Sequence, residues 1–127
     1  MGTPRALRFP IRFDPWYAWL SRALLLPPSD SYIEIEGDGV RVRMGWAFRA
    51  GFSRRAVARA EPCEGRPLSR GVHGLAGRWL VNGSGRGLVK IDFEPKQRGY
   101  VLGYPVALKE LFVSLQDPAG AMRALNA

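Results

Sequence analysis

The stretch that most limits what this chain can fold into lies between Tyr32 and Met44. Tyr32-Ile33-Glu34-Ile35-Glu36 and Val40-Arg41-Val42-Arg43-Met44 both alternate polar and apolar residues, on either side of Gly37-Asp38-Gly39. Alternation of period two gives a strand one dry face and one wet face, and Asp-Gly is a favoured pair for a two-residue hairpin turn. With Asp38 and Gly39 in the loop, Ile35 faces Val42, Ile33 faces Met44, Glu36 faces Arg41 and Glu34 faces Arg43. Every apolar side chain then meets an apolar one and every acid meets a base, at about 0.2–1 kcal/mol per charged pair. A slip of one residue would turn both patterns inside out. The apolar parity runs on through Trp46 and Phe48, which places both rings in the core.

Around this hairpin the chain reads as a series of short strands. Leu7 to Phe13 alternates, with Pro10 assigning it to a sheet edge. Asp14-Pro15 is an N-cap followed by a first-turn proline, and predicts a short helix from Pro15 to about Leu24, stopped by Pro27-Pro28. Arg54 to Glu61 is expected as the third strand and 61–77 as a long loop. Arg78 to Asn82 and Leu88 to Phe93 are strands around the glycine-rich turn Gly83 to Gly87, and Lys109 to Leu115 is the last strand. The segment 94–105 is a second long loop, with room for a brief extended piece at Tyr100-Val101-Leu102. Asp117-Pro118 repeats the cap-and-proline start, and Ala121, Met122 and Leu125 give the terminal helix one apolar stripe. With 127 residues and no repeat or linker, a single domain over 1–127 is expected: an N-terminal strand and short helix in 1–29, then a barrel with its capping helix in 30–127.

Composition removes several classes of function. One cysteine, Cys63, excludes a disulfide scaffold. The longest apolar stretch, Pro15 to Pro28, carries Arg22 and is too short for a spanning helix, which needs about 20 residues. His73 is the sole histidine, so His and Cys cannot supply the usual zinc cage. Cys63 lies between Glu61 and Glu64, whose charges disfavour a thiolate. The glycine arrays Gly71 to Gly77 and Gly83 to Gly87 lead into strands, whereas a dinucleotide fingerprint leads into a helix. Glu34/Glu36 and Asp92/Glu94 share strand faces and read as salt-bridged surface. No set of residues supplies nucleophile, base and oxyanion donors together. The reading is therefore a protein that is no enzyme and uses no cofactor and no metal.

At this point the residues carry a resemblance. The run from Ser31 to Trp46, followed by Phe48-Arg49 and the strand Arg54 to Glu61, resembles the opening sheet of bacterial pleckstrin-homology-like (PH-like) domains. Leu111 to Pro118 with the helix after it resembles the last strand and capping helix of that fold. With Gly77 to Ser84, the chain is similar to a family of small PH-like proteins from high-GC bacteria. The resemblance implies a mainly β fold, a bent antiparallel β-barrel with a C-terminal capping helix, here preceded by the short N-terminal helix. It also implies non-enzymatic binding, with the ligand left open. Eukaryotic PH domains often hold phosphoinositides beside the first hairpin, but the acidic tip Glu36-Gly37-Asp38 would repel a phosphate there.

The net charge is +8, and 16 of the 19 basic residues are arginine. Six arginines and no acid fall between Arg41 and Arg59. With Arg41 and Arg43 neutralised by Glu36 and Glu34, the free interaction patch reduces to Arg49, Arg54, Arg55 and Arg59. Such a patch suits an acidic protein surface or a small acidic ligand. A second expectation is peripheral attachment to anionic membrane through Trp16, Tyr17 and Trp19, in a protein otherwise cytoplasmic. Non-specific nucleic-acid binding is a third and is disfavoured, because Trp46 and Phe48 share the parity of the buried valines and so offer no stacking face. Oligomeric state is left open.

Overall fold

The computed structural model describes residues 7–15, 31–63, 71–75, 77–82 and 87–126. These form a mainly β structure with one C-terminal helix. The strands are β1 (Leu7–Pro10), β2 (Ser31–Glu36), β3 (Gly39–Met44), β4 (Phe48–Ser53), β5 (Val57–Pro62), β6 (Gly71–Leu75), β7 (Arg78–Asn82), β8 (Leu88–Val101) and β9 (Tyr104–Ser114); helix α1 spans Pro118–Asn126. They pair in the order β1-β2-β3-β4-β8-β9-β7-β6, with β5 also on β8. Strand β8 holds the sheet's bend: its first part pairs with β5 and its last residues with β4. Between them lies an irregularity from Asp92 to Gln97. The chain after β1 reaches the end of β9, where Ile11 bridges Leu115 and the Arg12 amide donates to the Ser114 carbonyl at 2.8 Å. The result is a sheet curled into a half-barrel.

The hairpin forms, with its dry and wet faces as expected, but its register is shifted. Ile33 pairs with Val42, Ile35 with Val40 and Glu34 with Arg41, so the loop residues are Gly37 and Asp38. Gly37 takes φ +59° while Asp38 does not have a positive φ, the glycine-first pattern of a type II′ turn. This placement lets Asp38 tie the tip to the corner after β4. Its carboxylate accepts from the Ser53 hydroxyl at 2.6 Å, and its carbonyl accepts from the Arg54 amide at 2.7 Å. The expected pairings of Glu36 with Arg41 and Glu34 with Arg43 are therefore replaced. Glu36 now faces Gly39, and Arg43 faces Tyr32.

Other boundaries move as well. The chain turns through Gly45, Trp46 and Ala47, and Phe48 opens a separate strand rather than extending β3. Arg54–Ala56 is a short 3-10 turn before β5. The segment 61–77 contains β6, and 94–105 is mostly strand, because β8 and β9 are long and joined by a tight hairpin at Leu102-Gly103. The strands β7 and β8 are not neighbours: β9 lies between them, and β7 runs parallel to it. The all-antiparallel expectation fails at that pair. Pro15 is helical, but 16–30, where the rest of the expected N-terminal helix falls, lies outside the described residues.

The concave side is filled by Ile33, Val42, Met44, Phe48, Ile91, Leu108, Leu111, Val113 and Leu115, all under 2% exposed. The helix closes this core with Ala121 and Leu125, as its apolar stripe requires. Asp117 caps it, its carboxylate accepting from the Gly120 amide at 3.0 Å. At the other end Asn126 exchanges two hydrogen bonds with the Ala60 backbone, 3.1 and 2.9 Å, standing in for a ladder partner of β5.

Candidate functional site

On the convex side of the sheet, side chains from neighbouring strands form rows. One row on β7, β9, β8 and β5 reads Arg78, Glu110, Asp92, Arg59. Here two bases flank two facing acids, Glu110 and Asp92, and Lys90 lies between the acids. Arg78 meets Glu110 at 2.7 Å, Lys90 sits 3.7 Å from Asp92 and 3.9 Å from Glu110, and Arg59 lies 3.5 Å from Glu61. Asp92 is thus part of a salt-bridged surface, as its spacing suggested.

A second row, on β2, β3, β4 and β8, reads Tyr32, Arg43, Arg49, Tyr100. It contains no acid, and it sets Arg43 directly opposite Arg49. Like charges facing each other across a ladder destabilise it; in the first row Lys90 bridges the two facing acids, whereas no described residue bridges Arg43 and Arg49. Arg49 stacks its guanidinium carbon 4.9 Å from the Tyr100 ring centre. Arg43 donates its Nε to the Gly45 carbonyl at 3.2 Å. Neither arginine meets a carboxylate among the described residues.

Arg41, one pleat along from Arg43, joins this pair. Its cross-strand neighbour Glu34 is already held by Arg8, whose Nη2 and Nε reach the same carboxylate oxygen at 2.7 and 3.1 Å. Arg8 also covers the Tyr32 ring at 4.1 Å. The Arg41 side chain makes no hydrogen bond or ion pair with any described residue. Its partner on β4 is Gly51, so the sheet has no side chain at that point. The outcome is an open groove of about 580 Å³ lined by Arg41, Arg43, Arg49, Gly51, Trp46 and Tyr100 among others, with no acid in its wall. Glu34 and Glu36 line a neighbouring hollow that shares Arg41 and Gly51 with it.

This arrangement redistributes the expected patch. Arg49 remains, but in the company of Arg41 and Arg43 rather than Arg54, Arg55 and Arg59. Arg54 donates to the Ala124 carbonyl near the end of α1 at 3.2 Å, a structural contact. Arg55 lies 3.7 Å from Asp38, and Arg59 pairs with Glu61. The expectation that Arg41 and Arg43 are spent on acids is overturned by the register. Trp46 is also corrected: it is 57% exposed, because it sits in the turn rather than on strand parity, while Phe48 is buried as expected. Trp16, Tyr17 and Trp19 lie outside the described residues.

The sequence suggests a brief extended piece at Tyr100 within a loop, but gives no sign of its contact with Arg49 or of the role of Gly51. The alternation Phe48-Arg49-Ala50-Gly51-Phe52-Ser53 is the signal that reveals β4 and, with it, the arginine row. Of the remaining candidates, Cys63 is half-buried at the end of β5, its amide donating to the Leu88 carbonyl at 2.9 Å. His73 lies on β6 opposite Leu80, and Gly71 to Leu75 is strand rather than a phosphate loop. Comparison of the chain with protein-family models, curated proteins and solved structures finds no match.

Proposed function

We propose that this protein is a non-enzymatic binding module that holds a polyanionic group, phosphate- or carboxylate-bearing, in the groove between Arg41, Arg43 and Arg49. The single observation behind this reading is the acid-free face-to-face pair Arg43–Arg49, in a sheet whose other basic row is fully balanced. A bridging anion converts that repulsion into two charge-assisted contacts, each about twice as strong as a neutral hydrogen bond. Arginine suits the task because its planar fork presents several donors to one oxyanion. Gly51 leaves space for the anion to approach the sheet, and Tyr100 holds Arg49 in position. The PH-like assignment belongs to the same reading. The meander β1 to β4, the bent sheet and the closing helix support it; the parallel β7–β9 pair departs from it.

Calorimetric titration of the full chain with sodium tripolyphosphate tests this. Saturable binding is expected, weakening as salt rises, and weakening by about tenfold or more in Arg43→Gln with Arg49→Gln, since about 1.4 kcal/mol of lost contact is a factor of ten. An affinity equal to that of the unaltered chain in this variant would remove the groove from consideration.

A further inference from the structure

Two turns lie side by side at one end of the sheet. The β3–β4 turn carries Trp46 and the β8–β9 turn carries Leu102, and the Leu102 amide donates to the Ala47 carbonyl at 3.0 Å. Four large apolar side chains are exposed among the described residues, and three of them are here: Trp46 at 57%, Leu102 at 57% and Tyr104 at 75%. Scattered single apolar residues need no explanation, whereas a cluster on adjoining turns does.

Leu102 adds a second anomaly. It has φ +51° and is followed by Gly103 at +84°, the two left-handed positions of a type I′ turn, which strongly favours Asn, Asp or Gly at the first. A leucine there is uncommon and carries a steric cost. Neither local turn chemistry nor the core asks for it.

The arginine row lies just behind these turns. Arg43 precedes Trp46 by three residues and Arg49 follows it by three; Tyr100 precedes Leu102 by two. At roughly 3.3 Å per residue along a strand, the guanidiniums stand within about 10 Å of the tip. That matches the depth, about 5–10 Å, to which interfacial apolar groups enter a bilayer while basic groups stay with the phosphates. Trp and Tyr are the side chains that favour this boundary.

We infer that the polyanion of the groove is presented by a lipid surface: the protein docks turn-end first on an anionic bilayer, with Leu102 and Tyr104 inserted beside Trp46 and Arg43 and Arg49 among the lipid phosphates. This rests on the anion-binding reading above. A bilayer accepts two protruding turns without shape complementarity, which a protein partner would have to supply as a pocket. Exposed Trp46 and Tyr104 offer rings for bases to stack on, but Leu102 has no stacking face and the Tyr100 ring is already engaged by Arg49, so single-stranded nucleic acid accounts for fewer of these features than a bilayer does.

The test is co-sedimentation of the full chain with vesicles of phosphatidylcholine alone or mixed with phosphatidylglycerol, run beside the tripolyphosphate titration. The unaltered protein should pellet with the mixed vesicles only. Leu102→Asn with Tyr104→Thr suits both turn and strand, and should lower vesicle affinity by about tenfold or more while tripolyphosphate binding stays unchanged. Arg43→Gln with Arg49→Gln should lose both, the vesicle arm by roughly thirtyfold at about tenfold or less per arginine. Undiminished pelleting of the turn variant overturns the inference. So does tripolyphosphate binding, or capture of a single-stranded oligonucleotide, without any pelleting; tripolyphosphate binding alone leaves the groove reading intact. Binding of neither tripolyphosphate nor vesicles overturns both.

Discussion

Gly51 offers a perturbation whose effects on folding and on binding should have opposite signs. It sits mid-strand in β4, opposite Arg41, at a negative or extended φ, and an added Cβ would meet no atom within 4 Å. Nothing in the local backbone requires glycine. Replacing glycine where the new side chain fits stabilises by about 0.4–1 kcal/mol through the unfolded chain alone. A β-branched residue adds to that in a strand, on a propensity scale spanning about 1 kcal/mol. Gly51→Val should therefore stabilise the protein by about 1 kcal/mol. With a urea slope of about 2 kcal/mol/M, the unfolding midpoint rises by about 0.5 M. The same side chain occupies the floor of the groove between Arg41 and Arg49, so tripolyphosphate affinity should fall by about tenfold or more. Urea unfolding followed by tryptophan fluorescence gives the first quantity and calorimetry the second. A destabilised Gly51→Val would mean that glycine serves the backbone after all, and one that binds as the unaltered chain does would mean that the hollow is not where the anion sits.

Two further outcomes follow from contacts outside the groove. Arg54→Gln should destabilise by about 1 kcal/mol, because its charged donor to the Ala124 carbonyl also complements the C-terminal end of α1; Arg55→Gln, whose side chain is 88% exposed, should leave the urea midpoint unmoved. Equal effects in the two variants would contradict the assignment of Arg54 to structure. Arg8→Gln should weaken tripolyphosphate binding several-fold although Arg8 is no part of the groove wall, since it frees the Glu34 carboxylate to turn to its cross-strand neighbour Arg41. Unchanged affinity in that variant would show that Glu34 does not compete.

How much of this was legible in the sequence depends on what parity can encode. Alternation identifies the faces of the hairpin, because burial follows it along β3 residue by residue: Val40, Val42 and Met44 in, Arg41 and Arg43 out. It is silent about a shift that preserves parity. The observed register differs from the expected one by moving the loop one residue toward the N-terminus, which still sets Ile against Val and Glu34 against an arginine. Only the choice of turn, and the tie from Asp38 to Ser53 and Arg54, distinguishes the two. The same blindness hid β4. A three-residue turn at 45–47 brings Met44 opposite Phe48, and even positions remain apolar on both sides of it, so two antiparallel strands read as one. Parity alone thereby points Trp46 inward, whereas the side chain is exposed.

Long-range pairing was beyond local signals altogether. That Glu34 belongs to Arg8 depends on β1 docking beside β2, and that Tyr100 meets Arg49 depends on β8 docking beside β4. The terminal helix was the easiest element, because its cap, proline and apolar stripe are all local. The candidate site, built from four strands, was the hardest. Six arginines in one segment could be counted from the sequence; which of them lack a carboxylate could not.

On the proposed reading Arg43 and Arg49, set against each other on adjacent strands, share one anion. Nuclear magnetic resonance of the arginine side-chain Nε–H groups, followed through a tripolyphosphate titration, tests it at the atoms concerned. Resonances of Arg43 and Arg49 should move together and saturate with one common affinity, while those of Arg55 and Arg59 stay still. Movement confined to Arg55 and Arg59, or drift of all arginines without saturation, would contradict it.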